Sequence, residues 1–155
     1  MFSRKIYADW MSDIQKEKIK GILEFIGPKG RVLDLGAGAG FLEEYIPWAI
    51  ALDVDLLNLK KTKAFKVLAD GGNLPFKQEG FDLIFCIDTL HLLKGDKEIR
   101  RVLSSDGKAV VSLFCNEYNI GEKFKALKRR FRNWRILKEF FVGKKEMDAV
   151  LICKK

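Results

Sequence analysis

Paired cysteines, histidine and long apolar runs are what this sequence has least of. Its three cysteines, Cys86, Cys115 and Cys153, form an odd set without C-x-x-C spacing, each inside an apolar, strand-like run. That pattern excludes a disulfide framework and points to reduced core thiols in a cytosolic setting. With a single histidine, His91, and no cysteine pair, the ligands for a structural zinc site are missing. No apolar run approaches the ~18 residues of a membrane span. The start, MFSRKIYADW, lacks a signal-peptide apolar core, so the expected location is cytoplasmic. Repeats, low-complexity tracts and Pro/Gly/Ser linkers are also missing, and 155 residues suit one domain spanning 1–155.

What the chain does have is a localised excess of base. Lys plus Arg number 29 against 21 Asp plus Glu, a net charge of +8. The stretch KFKALKRRFRNWRILK, residues 123–138, holds eight bases and no acid, so the rest of the chain is balanced. A basic patch attracts polyanions through phosphate contacts and counterion release, which makes RNA a candidate partner of segment 123–138. A solvated helix face that keeps the protein dispersed has the same composition. Phe124, Leu127, Phe131 and Trp134 fall at spacings of three and four, which places them in the core. Lys125, Lys128, Arg129 and Arg132 are thereby left on the outer face.

Along the chain, Ser12-Asp13-Ile14-Gln15 reads as a capping box ahead of a helix carrying Ile19, Ile22, Leu23 and Ile26, stopped by Gly27-Pro28. RVLDL (31–35), WAIALD (48–53), FKVLA (65–69), FDLIFC (81–86) and KAVVSLF (108–114) read as strands. Short helices are expected over Phe41–Ile46, after Asp55 and after Asp96, and SSDGK as a turn. Strands that alternate with helices and are apolar on both sides argue for a parallel sheet with helices on both faces. NWRILKEFFV and MDAVLICK are separated by about four residues, too few for a crossover, so they are expected as an antiparallel hairpin. The sum is an α/β fold with a mostly parallel sheet of seven strands.

Asp34-Leu35-Gly36-Ala37-Gly38-Ala39-Gly40 follows the first strand. Glycines there let backbone approach a ligand. The dinucleotide fingerprint is not met, because Phe41 takes the place of its last glycine. Asp34, at the strand's end, suits a ligand carrying a cationic amine better than a pyrophosphate. Asp53 ends the second strand and can accept hydrogen bonds from both ribose hydroxyls. Asp70 ends the third strand and, with Gly71, could read an adenine edge. Three acids at the carboxyl ends of consecutive strands face the crevice where open α/β sheets bind ligands. Asp55 reads instead as a helix cap.

RVLDLGAGAG, ALDVD, LADGGNLPFKQEGFDLIFCIDTLHLL and EIRRVLSSDGKAVVSL resemble, in order and spacing, the class I S-adenosylmethionine-dependent methyltransferases, over roughly residues 30–114. Within them the resemblance is to the type 11 group, which includes quinone-biosynthesis enzymes. It implies a Rossmann-like sheet of seven strands with the last antiparallel, and S-adenosyl-L-methionine as cofactor. Gly36, Ala37 and Gly38 would line its methionine part, with Asp34 near the amino group. Asp53 would hold the ribose hydroxyls and Val54 would pack beside the adenine. Asp70 and Gly71 would bind the adenine nitrogens, and Ile87 would cover the ring's other side. Tyr7 and Trp10 match an N-terminal aromatic segment that covers the cofactor in this family, although core packing accounts for them equally.

The implied reaction is an in-line displacement at the sulfonium methyl, in which the protein supplies position, orientation and exclusion of water. The catalytic residue is not fixed by the sequence. His91, after the fourth strand, is either a general base or a structural histidine at a strand–helix junction. Ile87-Asp88-Thr89-Leu90 lacks the Asn/Asp-Pro-Pro-Tyr segment used on amide and exocyclic amino nitrogens. No insertion is large enough for a substrate lid, so a large acceptor or a partner subunit is expected to complete the site. The acceptor is RNA or a metabolite. The alternative is a non-catalytic cofactor-binding subunit that scaffolds a partner or RNA.

Overall fold

A computed structural model describes residues 4–94 and 96–155. Helix α1 (Arg4–Leu23) precedes strand β1 (Val32–Leu35), a 3-10 turn (Leu42–Glu44) and β2 (Ile50–Asp53). Helix α2 (Leu56–Leu59), β3 (Lys66–Leu68) and β4 (Phe81–Cys86) follow, then a second 3-10 turn (Leu90–Leu92) and α3 (Lys97–Val102). The chain finishes with β5 (Leu103–Cys115), α4 (Ile120–Arg130), β6 (Arg135–Val142) and β7 (Met147–Lys154). The seven strands lie in the order β3-β2-β1-β4-β5-β7-β6. β1 to β5 pair in parallel, and β7 runs antiparallel to both β5 and β6. The expected mostly parallel sheet and its C-terminal hairpin are therefore present. Among the described residues no helix is long and apolar enough to cross a membrane.

Each central strand carries apolar side chains on both sides, as strands covered on two faces must. On one face Leu83, Phe85, Val110 and Val150 meet Ile19 and Ile22 of α1 and Ile26 beyond it. On the other, Ile84, Cys86, Val111 and Leu151 meet Ile99 and Val102 of α3 and Leu127 of α4. Phe131 and Trp134 extend this second layer in an edge-to-face pair at 5.3 Å, as their spacing with Leu127 required. The three cysteines are free and buried, and burial pushes the Cys86 and Cys153 thiols up to about 12, which keeps them protonated.

Four local readings are corrected. Helix α1 starts eight residues before Ser12, so the capping-box pattern lies within a helix that already has a preceding turn to satisfy its amides. The expected helix over residues 41–46 shrinks to a 3-10 turn at Leu42–Glu44. SSDGK does not break the chain: it is absorbed into the start of β5, and the β4–β5 register shifts between Phe81 and Leu83. Asp96 stands at the start of α3, yet its carboxylate makes no cap bond and accepts instead from the Trp134 indole nitrogen. Asp55 does cap α2, accepting from Leu57 N at 2.8 Å and Asn58 N at 3.3 Å.

Polar groups inside the α1 layer are few and mutually bonded. Lys18, 1% exposed, donates to Asp148 Oδ1 of β7 at 2.7 Å, and Ser112 Oγ of β5 donates to Asp148 Oδ2 at 2.9 Å. Burial alone would lower the Lys18 pKa, but the Asp148 and Asp88 carboxylates outweigh it and the ammonium is held above its ordinary value. Truncating one partner of such a pair leaves the other charge buried and uncompensated. Lys18→Met is accordingly expected to lose about 3–5 kcal/mol of stability in urea unfolding. Lys18→Met/Asp148→Asn should lose less than the sum of the single changes. Additive losses would show that the two groups do not act as a pair.

Candidate functional site

Strand β1 pairs with β2 on one side and β4 on the other, so successive connections diverge above its carboxyl end and leave a crevice. The loop after β1 is turned into that crevice by its backbone. Gly36 N and Ala37 N both donate to Leu52 O of β2, at 2.8 and 3.0 Å. Gly36 (φ 84°) and Gly38 (φ 56°) adopt left-handed backbone, and the two serve different ends. A Cβ on Gly36 would lie 2.2 Å from Thr89 Cγ2, so this glycine lets the loop close on the segment after β4. A Cβ on Gly38 would meet nothing within 4 Å. Gly38 thus presents bare backbone to open space, in a cavity of about 370 Å³.

That cavity brings together Asp34, Gly36, Ala37, Gly38 and Ile87 of the expected site, with Met11 and Gln15 of α1 on the facing wall. Its volume is in the range of small-ligand pockets. Asp53 stands just outside and builds the loop: its Oδ2 accepts from Gly38 N at 2.8 Å and its Oδ1 from Asp55 N at 2.9 Å. Val54 beside it is 66% exposed. Asp70 accepts from Gly72 N at 2.9 Å, and Gly71 is buried where a Cβ would meet Leu93 at 2.6 Å. Ala69 N donates to Asp53 O at 3.1 Å, which joins the ends of β2 and β3 into one rim. Val54, Asp70 and Gly71 therefore extend the site outward from the cavity rather than line it.

Asp34 is 4% exposed and faces Glu43, itself 6% exposed. Burial first, then the neighbouring Glu43 and Asp53 charges, raise the Asp34 carboxyl well above the usual carboxylate range, and burial raises Glu43 as well. Neither Glu43 oxygen has a donor among the described residues, and a proton shared between the two carboxyls supplies one. Sequence reasoning missed Glu43; the available signal was an acid in the first turn after a glycine loop. His91 is exposed on the 3-10 turn Leu90–Leu92 and does not line the cavity, whereas Asp88 and Thr89 do. Tyr7 and Trp10 are exposed, with ring centroids 6.0 Å apart, so they are neither core residues nor part of the cavity wall.

The basic segment is split by the fold. Arg130 turns inward and donates to Leu90 O at 2.6 Å, and Lys128 pairs with Glu139 at 2.6 Å. Lys125, Arg129 and Arg132 remain exposed. Helix α4 follows the carboxyl end of β5 and packs on the α3 face of the sheet, with Lys125 about 7 Å along it, Arg129 in its last turn and Arg132 beyond its end.

Comparison with known proteins bears on this geometry. The family model described as methyltransferase domain matches residues 33–111. The chain is 26% identical over 155 residues to an uncharacterized protein of Methanocaldococcus jannaschii, covering 94% of this chain and 74% of that one. It is 26% identical over 125 residues to a Mus musculus protein named probable tRNA methyltransferase 9B, covering 71% of this chain and only 28% of that protein. A SAM-dependent methyltransferase structure from Aquifex aeolicus superposes with a TM-score of 0.69 at 19% identity, covering 98% of this chain and 99% of that one.

The two glycines make a discriminating pair. Gly38→Ala is expected to cost about 1–2 kcal/mol, the strain of left-handed backbone with no clash. Gly36→Ala adds the collision with Thr89 to a similar strain and should lower the melting temperature further. Equal losses in thermal unfolding would refute the closed contact between the loop and Thr89.

Proposed function

Because the chain belongs to the methyltransferase-domain family, we propose that it transfers a methyl group from S-adenosyl-L-methionine to an acceptor on RNA. The observation that carries the reading is the cavity itself: bare Gly38 backbone, walled by carboxyl groups, at the switch point of the sheet. Phosphate-binding glycine loops avoid carboxylates, whereas an amino acid ammonium and a sulfonium are cations that acids attract. The residues present fit such a cofactor. Asp34 with Gly36 to Gly38 would receive the methionine end, and Asp53 the ribose hydroxyls. Val54, Asp70, Gly71 and Ile87 would receive the adenine. When bound, the cofactor supplies an electrophilic methyl group. The chain's own contribution is to fix the donor through the Asp53–Gly38 contact and to shield it from water behind Met11 and Gln15.

RNA is favoured over a small metabolite because the chain's excess positive charge is concentrated in one segment that keeps Lys125, Arg129 and Arg132 exposed to a polyanion. The partial likeness to a probable tRNA methyltransferase agrees with that choice. The first test is calorimetry with S-adenosylmethionine and S-adenosylhomocysteine, with NAD as control. Micromolar binding of the first two alone supports the reading. Asp53→Ala should then weaken both by about tenfold to several hundredfold, as two charge-assisted hydrogen bonds are lost. An unchanged dissociation constant would sink the ribose assignment. Binding without methyl incorporation into cell extract would favour a non-catalytic subunit.

The acceptor is tested by incorporation with and without ribonuclease, and by salt. Affinity for RNA should fall steeply as salt rises, and Lys125→Glu/Arg129→Glu/Arg132→Glu should flatten the slope by about two to three units. Salt-independent binding, or ribonuclease-resistant incorporation into small molecules, would replace RNA by a metabolite.

A further inference from the structure

The polar cluster under α1 has one member that reaches the cavity, and this member is used by nothing described so far. Asp88 follows β4 in left-handed backbone (φ 54°), an uncommon conformation for a residue with a side chain. It is fastened from behind: Asp88 N donates to Ser112 Oγ at 3.0 Å, and Lys18 Nζ reaches Asp88 Oδ2 at 3.4 Å. Ser112 and Lys18 are in turn held by Asp148. Asp148 is sealed at 0% exposure, while the Asp88 side chain is 24% exposed and lines the same cavity as Gly36 to Gly38. Asp88 Oδ1 is itself buried and has no hydrogen-bond partner among the described residues, so the exposure of the side chain comes from its other atoms.

The charges do not balance, and the imbalance falls on Asp88. Two carboxyls, Asp88 and Asp148, face one ammonium, Lys18. Asp148 takes the short contact with Lys18, so Asp88 holds the excess carboxyl. Its charge is also felt by the buried thiols of Cys86 in β4 and Cys115 in β5, and Asp34 of β1 lines the same cavity. Burial, then the Asp148 charge, push the Asp88 carboxyl up to about 7 against the opposing pull of Lys18. A proton therefore enters and leaves this wall of the cavity near neutrality. A general base works best when its pKa lies near the operating pH.

We infer that Asp88 is the proton acceptor of the transfer, and hence that the methylated atom is an amine nitrogen or hydroxyl oxygen that gives up a proton. The inference rests on the methyl-transfer reading above. The acceptor's lone pair forms the new bond to the methyl carbon. The electron pair of the broken carbon–sulfur bond stays on sulfur, leaving S-adenosylhomocysteine, and the acceptor's proton passes to the Asp88 carboxylate and then to solvent. Acceptors that attack as thiolates or carboxylates have no proton to give and gain nothing from this residue. Lys18, Asp148 and Ser112 are positioning residues.

The test uses full-length protein with 13C-labelled aspartate carboxyls, with Asp88→Asn assigning the resonance; asparagine tolerates left-handed backbone, so this variant is expected to fold. Without ligand, Asp88 should titrate near pH 7. S-adenosylmethionine, whose sulfonium stabilises the carboxylate, should lower that midpoint, and S-adenosylhomocysteine, whose sulfur is a neutral thioether, should move it less. In parallel, Asp88→Asn should bind S-adenosylhomocysteine as the parent does while losing about 100-fold or more in methyl incorporation into extract. An Asp88 midpoint in the ordinary carboxylate range, one that both ligands shift alike, or undiminished incorporation by Asp88→Asn each overturns the inference. Binding of neither ligand to the parent protein is a different failure, since it overturns the methyl-transfer reading and this inference falls with it.

Discussion

A buried ammonium is stable only where carboxylates meet it, and the contact between Lys18 and Asp148 fixes where α1 can sit. Apolar contacts between α1 and the sheet, such as Ile19 and Ile22 on Phe85 and Val150, would tolerate sliding by a turn, because hydrophobic attraction has no direction. The ion pair does not tolerate it. A shift of one helical turn, ~5.4 Å, would leave both charges unpaired in the core. The pair therefore sets the register of α1, and with it the place of Met11 and Gln15, which wall the cavity about two turns and one turn earlier. Through Ser112 the same carboxylate reaches the backbone of Asp88, so helix, hairpin and the loop after β4 are tied at one point.

Much of this fold could be read from local pattern. Strand β4 was bounded correctly by its own apolar run, and the C-terminal hairpin followed from a connection too short for anything else. The glycine loop and the acids at three strand ends were equally plain. What stayed hidden depends on tertiary partners. Lys18 sits in QKEKIK, a run whose composition reads as solvated helix surface; only its place four residues after Ile14 and four before Ile22 sets it on the apolar stripe, apart from the exposed Lys20. Asp148 was the better clue, as a lone acid within MDAVLICK, where an uncompensated charge could not survive. The capping-box pattern at Ser12 misled because the motif describes a helix start only if no helix precedes it. Asp88 was noticed only as a departure from another sequence motif, and its meaning came from contacts with residues 70 and 24 positions away.

Charge is sorted in this molecule by depth. The surface is basic, with the excess on the segment around α4, while the cavity and its rim carry Asp34, Glu43, Asp53 and Asp88. A polyanion is drawn to the exposed bases of the α4 segment, while the crevice, lined by carboxyl groups, offers phosphate no cation. A cationic small molecule experiences the reverse. The two ligands of the proposed reaction are thereby directed to different places by sign alone. One polyanion could occupy the outer bases while only an uncharged or cationic group of it enters the cavity.

The same sorting explains why the carboxyls inside can be numerous without unfolding the protein. Four ionised acids around a small cavity would repel one another strongly at low dielectric. Here Asp34 and Glu43 are held towards their protonated forms, and Asp88 stands beside Lys18. Asp53, at the rim, accepts from two backbone amides. Burial thus lowers the negative charge that these carboxyls would otherwise set against one another, and this is what lets them share so small a region.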